Sequence, residues 1–121
     1  MGQEYPRARR ITHRSEFERL LNEGTRVRTS DLDVRKVASP LGCVRIGLIV
    51  PKLGRTGVAR NKLKRRLREL VRVKLLPLDA SYDVVIRTRG TAYERPFSAL
   101  EKQVDEIAVH LKKPMDPGPE A

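Results

Sequence analysis

The chain has 121 residues and a formal net charge of +11, with one cysteine and no tryptophan. This length is typical of a single domain with its own core, and one cysteine, Cys43, excludes an intrachain disulfide and a cysteine-based zinc site. No apolar run approaches the roughly 18 residues of a membrane span and no signal-peptide pattern opens the chain, so we expect a cytoplasmic protein without membrane contacts.

The positive charge is concentrated in one part of the chain. Residues 45–74 carry eleven Lys or Arg and one Glu, a net charge of +10, whereas residues 91–121 come to −2. A patch of this kind indicates an anionic partner. Cys43 lies at the edge of this region in an apolar run, and we predict a buried, unreactive thiol.

The N-terminal residues 1–14 show no helical period, and we predict an irregular basic arm that either contacts phosphate or lies free in solvent. Its arginines include Arg9, Arg10 and Arg14. Ser15 and Glu18 then form the pattern of a capping box, which predicts a short helix over about 16–23 that ends at Gly24.

Two strand patterns follow this first helix. Residues 32–38 alternate in polarity, and Cys43–Val50 is strongly apolar, with the turn residues 39–42 between them. We therefore predict that the two strands form a hairpin. The next segment, 51–57, is a basic connector that lacks the Gly-Lys-Ser/Thr of a phosphate-binding P-loop.

A basic helix is predicted over about 58–75. At about 100° per residue, an apolar stripe forms along one side; its members are Leu63, Leu67, Leu70 and Val71. The adjacent face carries Asn61, Arg65, Arg68 and Arg72, with Lys64 between that face and the stripe, and the other side of the stripe carries Lys62 and Arg66. Because this charge run is almost entirely positive, a polyanion-binding face is favoured over an ordinary solvated one.

The C-terminal part is predicted to form a buried strand over 82–88 and an amphipathic helix over about 97–112. The order α-β-β-α-β-α indicates an α+β sandwich with helices packed on a small mixed sheet. Residues 1–113 then form one polyanion-binding domain, and the Pro-rich tail 114–121 is predicted to be disordered.

Catalytic constellations are not evident in this sequence. His13 and His110 lie in unrelated contexts, and the serines lack a neighbouring base. Asp31 and Asp33 alternate along a strand and could share a face. We expect these carboxylates to be ordinary solvent-facing residues of the strand, and the alternative is a two-carboxylate Mg²⁺ site of a protein nuclease. We predict no catalytic and no metal-binding residues in the protein.

Four stretches resemble the protein subunit of bacterial ribonuclease P. The basic helix is similar to the family's Arg-Asn-Arg-x-x-Lys-Arg…Arg-Glu signature in Arg60, Asn61, Lys64, Arg65, Arg68 and Glu69, with Lys62 in place of the second arginine. The others are Arg10-Ile11…Phe17 with the following Gly24, and the two strand sequences at 47–52 and 82–86.

The resemblance implies a fold with a left-handed βαβ crossover and a role beside a catalytic RNA. That RNA, with Mg²⁺ bound to it, removes the 5′ leader of precursor tRNA, while one protein per RNA supplies binding surfaces. The signature helix, with Lys62 and Arg72, would face the RNA. The leader would lie in a cleft between the sheet and the first helix; the predicted cleft residues are Phe17, Leu21, Arg35 and Lys52. Aromatic residues common in the family are replaced here at Leu21, Leu32 and Arg35. The rival interpretation is a structural or chaperone-like rRNA-binding protein without a role in processing.

Overall fold

The computed structural model describes residues 6–112, within which three helices surround one sheet. In chain order the elements are α1 (Arg14–Glu23), β1 (Thr25–Arg28), β2 (Leu32–Ala38), β3 (Arg45–Ile49), α2 (Gly57–Lys74), β4 (Tyr82–Thr88) and α3 (Phe97–Lys112), with short 3₁₀ turns at Arg7–Arg9 and Gly90–Glu94. The predicted α+β architecture with a mixed sheet is confirmed. The predicted tail at 114–121 lies outside the described residues.

The sheet has the strand order β1-β2-β4-β3. β1 and β2 are antiparallel, β2 and β4 are antiparallel, and β3 lies parallel to β4, with Val34 opposite Ile86 and Leu48 opposite Ile86. The β3–α2–β4 segment is therefore a βαβ unit in which α2 makes the crossover. The left hand of that crossover stays a prediction from the resemblance.

The predicted hairpin between residues 32–38 and Cys43–Val50 is wrong, because β4 lies between β2 and β3. Residues Tyr82–Ile86 are all buried, and a strand that is apolar on both faces is most stable between two neighbours. β2 forms its hairpin with β1 instead, a strand that the sequence pattern did not predict. Val27 is the one apolar residue of Thr25–Arg28, so the alternation has too few members to be recognised.

The two faces of the sheet are covered by different helices. On one face, the sheet residues Val34, Ile46 and Ile86 pack against α2 and α3. The complete predicted stripe of α2 is buried in the same cluster. On the opposite face α1 contributes Leu20, which packs with Val85 and Ile11. The stripe predicted from periodicity is thus confirmed as the contact that fixes α2 to the core.

The ends of α1 differ from the prediction. The helix begins at Arg14 with His13 as N-cap, and no side chain caps it, so Ser15 lies in the first turn and the predicted capping box is wrong. Glu18 instead pairs with Arg14, 3.2 Å away. Gly24 ends the helix in extended conformation, where a Cβ would lie 2.5 Å from the carbonyl oxygen of Leu20. Glycine is needed here for close approach of the chain, not for a left-handed turn.

The N-terminal arm is anchored in its described part. Arg9 donates hydrogen bonds of 2.7 Å to the carbonyl oxygens of Val44 and Leu76, and Arg10 forms a parallel bridge with Ile46 at the edge of β3. The prediction of a wholly irregular arm is therefore wrong from Arg7 onward. Cys43 is half-buried, so the prediction of a buried thiol is also wrong.

A buried carboxylate connects the β1–β2 turn to the C-terminal half of the chain. Asp31 is 1% exposed and accepts hydrogen bonds from Thr91 Oγ1 (2.5 Å), Gln103 Nε2 (2.6 Å) and Arg95 Nε (2.9 Å). Burial would raise the pKa of Asp31, but these donors outweigh it and hold the pKa below its usual range. Asp33 is paired with Arg26 at 3.1 Å. Both carboxylates considered for a Mg²⁺ site are thus bound by side chains of the protein.

We predict that Asp31→Ala lowers the free energy of unfolding by about 2–4 kcal/mol, because it removes the buried acceptor that Thr91, Arg95 and the buried Gln103 share. Asp33→Ala should cost less than about 1 kcal/mol, since its ion pair with Arg26 lies nearer the surface. Urea denaturation of the two variants measures both values. Equal losses would contradict the structural role assigned to Asp31.

The same carboxylate should contribute to acid unfolding. The pKa of Asp31 is lower in the folded chain than the value of about 3.9 for an unfolded aspartate. The ionised carboxylate therefore adds its full contribution to the free energy of unfolding above about pH 4, and this contribution is lost as the pH falls through the folded-state pKa. The difference in stability between the wild type and Asp31→Ala should therefore shrink below about pH 4.

Candidate nucleic-acid interface

Helix α2 begins with a side-chain cap and carries its cations away from the core. The Thr56 hydroxyl accepts a hydrogen bond from the Ala59 N–H at 3.0 Å, which satisfies one of the free amides of the first turn. Because the apolar stripe is buried, the remaining positions project outward. Arg65 and Arg68 are exposed, as are Asn61 and Lys62.

Like charges are close together along this helix. Lys64 lies one turn from both Arg60 and Arg68, and partial burial together with these two cations holds the pKa of Lys64 below its ordinary value. An anion bound beside Lys64 would relieve this repulsion. The helix is therefore electrostatically prepared for a polyanion.

Two of the predicted binding residues on α2 already have partners within the protein. Arg60 Nε donates to the carbonyl oxygen of Val50 at 2.7 Å and so joins the start of α2 to the end of β3. Arg72 is paired with Glu69, with 3.2 Å between Nε and Oε1. The structure thus divides the predicted set into residues that position the helix and residues that face solvent.

A pocket of about 240 Å³ lies between the N-terminal arm, α1, β3 and α2. Four of its residues belong to the set of predicted site residues: Arg10 of the basic arm, Phe17 of α1, and Lys64 and Arg68 of α2. Apolar and hydroxyl groups complete the lining, at Ile11, Thr12, Ile46 and Leu48. The pocket therefore combines one aromatic ring with three cations.

The Phe17 ring lies directly on the sheet because the residue beneath it is a glycine. A Cβ at Gly47 would lie 2.6 Å from Cε1 of Phe17, a distance that real side chains do not adopt. Phe17 is half-buried. It packs against the cluster that contains Ile11 and Leu20, and it also lines the pocket. An aromatic ring with cations beside it can stack on a nucleic-acid base while phosphate is neutralised nearby.

The other predicted cleft residues do not line this pocket. Arg35 donates from Nη1 to the carbonyl oxygen of Leu21 at 2.7 Å, at the C-terminal end of α1. Leu21 packs in the small core cluster under α1. Lys52 is exposed and begins a tight turn in which Leu53 and Gly54 both have positive φ.

Only part of the predicted basic arm reaches the pocket. Arg10 lines it, whereas Arg9 is used to anchor the arm and Arg14 forms a surface ion pair with Glu18. Sequence reasoning missed Thr12, Leu48 and Gly47 as parts of the site. A glycine within an apolar strand was the available signal for Gly47, since such a glycine often marks close approach of another group.

Within residues 6–112, no group of three or more His, Cys, Asp or Glu side chains is arranged to hold a metal ion. None of the helices in that part of the chain is both long and apolar enough to cross a bilayer. The chemistry that the described surface offers is the binding of anions and of flat, stackable groups.

Comparison with known proteins identifies the family. The family model for ribonuclease P matches residues 5–112. The ribonuclease P protein component of Syntrophobacter fumaroxidans is 34% identical over 99 residues, which cover 81% of this chain and 82% of that protein. That of Symbiobacterium thermophilum is 32% identical over 103 residues, which cover 84% and 89% of the two chains.

Solved structures agree with this assignment. A Staphylococcus aureus RNase P protein mutant with defective mRNA degradation activity superposes with a TM-score of 0.72 at 25% identity, covering 84% of this chain and 89% of that one. The RNase P protein of Thermotoga maritima has a TM-score of 0.71 at 23% identity, covering 85% and 94%, and supports the fold. With its sequence motifs, its α+β sandwich and these relatives in agreement, the chain belongs to the bacterial ribonuclease P protein family.

Proposed function

We propose that this protein binds the catalytic RNA of ribonuclease P and the 5′ leader of precursor tRNA, and that it assists the Mg²⁺-dependent endonucleolytic removal of the leader. The observation that carries the proposal is the meeting of Phe17 with Arg10, Lys64 and Arg68 in one pocket beside the exposed cations of α2. A single strand could place a base on the ring and its phosphates on the cations.

The two binding roles follow from the shape of this surface. Arg65 projects from α2 into solvent and suits the phosphates of a large folded RNA, while Arg68 is exposed and also lines the pocket, so that it can contact either partner. The pocket is recessed beside the sheet and suits a flexible single strand such as the leader. The protein then lowers the repulsion between two polyanions and holds the substrate, in the cytoplasm and with one protein per RNA.

The catalytic groups and the Mg²⁺ ions are proposed to lie on the RNA. The cations around the pocket would repel a divalent cation, so the protein surface there suits phosphate rather than Mg²⁺. Asp31 forms an ion pair with Arg95, and Asp33 forms one with Arg26. A protein nuclease that uses these two carboxylates would require their release from these partners.

Reconstitution tests the proposal directly. Adding the protein to a bacterial ribonuclease P RNA at low Mg²⁺ should increase cleavage of precursor tRNA, because the protein neutralises phosphates that otherwise repel. Unchanged cleavage would favour the structural or chaperone-like rRNA binder, and cleavage by the protein alone would favour a protein nuclease.

With about six phosphate contacts, affinity for the RNA should fall roughly 10³-fold between 50 and 200 mM salt, and a flat dependence would exclude the electrostatic mechanism.

Arg65→Ala and Arg68→Ala should each weaken binding of the RNA about tenfold without changing the melting temperature. Both side chains are exposed, and a charge-assisted contact contributes about 1.5–3 kcal/mol. Lys102→Ala and Lys112→Ala remove the same charge from the exposed side of α3 and serve as controls. A loss of thermal stability that parallels the loss of binding would contradict the separation of binding from folding.

Phe17→Ala should reduce affinity for precursor tRNA about tenfold more than affinity for mature tRNA, since stacking on one base contributes about 1–3 kcal/mol. Phe17→Leu keeps apolar packing on Gly47 and should lose the same preference, whereas Phe17→Tyr should retain it. Filter binding in the presence of the catalytic RNA measures all three variants. Equal losses for both tRNA forms would show that Phe17 acts only in the core.

A further inference from the structure

A cluster of charged side chains lies beneath α1, at the end of the helix that carries Phe17. Arg45 of β3 is the register partner of Asp83 of β4, and it donates from Nε to Oδ1 and from Nη2 to Oδ2 of that carboxylate, both at 2.9 Å. Nη2 also donates to Oε2 of Glu16, in the first turn of α1, at 3.0 Å. One guanidinium thus joins the start of α1 to two strands of the sheet.

The sheet side of this cluster is buried, and its helix side is more open. The side chains of Asp83 and Arg45 are 7% and 17% exposed, whereas that of Glu16 is 32% exposed. A forked guanidinium–carboxylate pair has a fixed geometry, because two parallel hydrogen bonds must be kept at once. The exposed Arg19 of α1 lies 4.0 Å from the same carboxylate, at the limit of an ion pair. Arg45 is therefore held by Asp83, and Glu16 takes its position from Arg45.

The apolar contacts of α1 do not fix its position along the sheet. Of the ten residues of α1, all of them described, Leu20 alone is fully buried. Apolar burial is non-directional, so it holds the helix against the sheet without defining where the first turn lies. Arg35 fixes the C-terminal end through the carbonyl oxygen of Leu21. The bond between Glu16 and Arg45 does the same at the N-terminal end.

This ion pair lies next to the contact between Phe17 and Gly47. Phe17 follows Glu16 in the chain, and Gly47 lies two residues after Arg45, on the same face of β3. Two neighbouring residues of α1 therefore contact two neighbouring positions on one face of a strand. A displacement of Glu16 along β3 would carry the ring away from the one position that has no Cβ.

We infer that Glu16 and Arg45 are positioning residues for leader binding: their ion pair sets the register of α1 on β3 and so holds the Phe17 ring at the pocket. The inference rests on the proposed function, in which the leader stacks on this ring. Neither residue of the pair lines the pocket, so both act through Phe17. The pairing also neutralises a carboxylate that would otherwise repel phosphate beside the ring.

Glu16→Ala tests the inference without opening the buried pair. Truncation of Arg45 would leave the Asp83 carboxylate buried without its partner and would destabilise the fold. Glu18→Ala is the matched control, because it removes the same charge from the other neighbour of Phe17 and breaks only a surface ion pair within the helix. Glu16→Gln keeps an oxygen acceptor for Arg45 and is the conservative variant.

Fluorine NMR measures the position of the ring in the free protein. The chain has two phenylalanines, so labelling with fluorinated phenylalanine gives one signal from Phe17 and a reference signal from Phe97, at the start of α3. Glu16→Ala should shift or broaden the Phe17 signal more than Glu18→Ala does, while the Phe97 signal stays unchanged. Phe17 signals that are alike in the two variants would overturn the inference.

Affinities for precursor and mature tRNA, measured in the presence of the catalytic RNA, report the effect on binding. Glu16→Ala should lower the preference for precursor tRNA about three- to fivefold, as expected for a partly exposed ion pair. Glu16→Gln should lower it less, and Glu18→Ala should leave it unchanged. In a Phe17→Ala background, Glu16→Ala should cause no further loss of preference, because it acts through the ring.

A purely structural role for the pair gives different results. Equal losses of affinity for both tRNA forms, or a loss that adds in full to that of Phe17→Ala, would overturn the inference. A wild type without preference for precursor tRNA would instead overturn the proposed function. The fluorine signals would then still decide whether the pair of Glu16 and Arg45 sets the position of the ring.

Discussion

The structure depends on the way in which one face of α2 is held against the sheet while the rest of the helix carries like charges. Repulsion between cations one turn apart costs about 0.2–0.5 kcal/mol per pair. Burial of each large residue of the stripe contributes about 1.5–3 kcal/mol. Since Leu63, Leu67, Leu70 and Val71 are all buried, packing outweighs repulsion several times over. The helix therefore stays folded with its cations unneutralised.

Topology then determines what these cations lie beside. Because α2 makes the crossover from β3 to β4, its exposed side lies along the edge strand β3, where the N-terminal arm also binds. The absence of a side chain at Gly47 brings the Phe17 ring onto this strand. Arg9 and Arg60 hold the arm and the helix to backbone carbonyl groups, so they act as positioning residues. The proposed binding surface thus consists of elements that contacts within the protein already hold in place.

Much of this could be predicted from sequence where the signal is local and periodic. The stripe of α2, the strand Tyr82–Thr88 and the helix Phe97–Lys112 were predicted at or near their observed ends. Features that depend on distant partners could not be predicted: the pairing of β3 with β4, and the donors to Asp31, which lie 60 to 72 residues away. The same holds for the meeting of Phe17 with Lys64, since periodicity gives the face of a helix but not its neighbour.

The central claim is that RNA covers α2 and leaves α3 in solvent, and lysine acylation of the protein with and without ribonuclease P RNA tests it most directly. In the free protein Lys64 should react readily, because its lowered pKa leaves more of the neutral amine. In the complex Lys62 and Lys64 should be protected, while Lys102 and Lys112 on α3 react as before. Unchanged reactivity at Lys62 and Lys64, or equal protection of the two α3 lysines, would contradict the account.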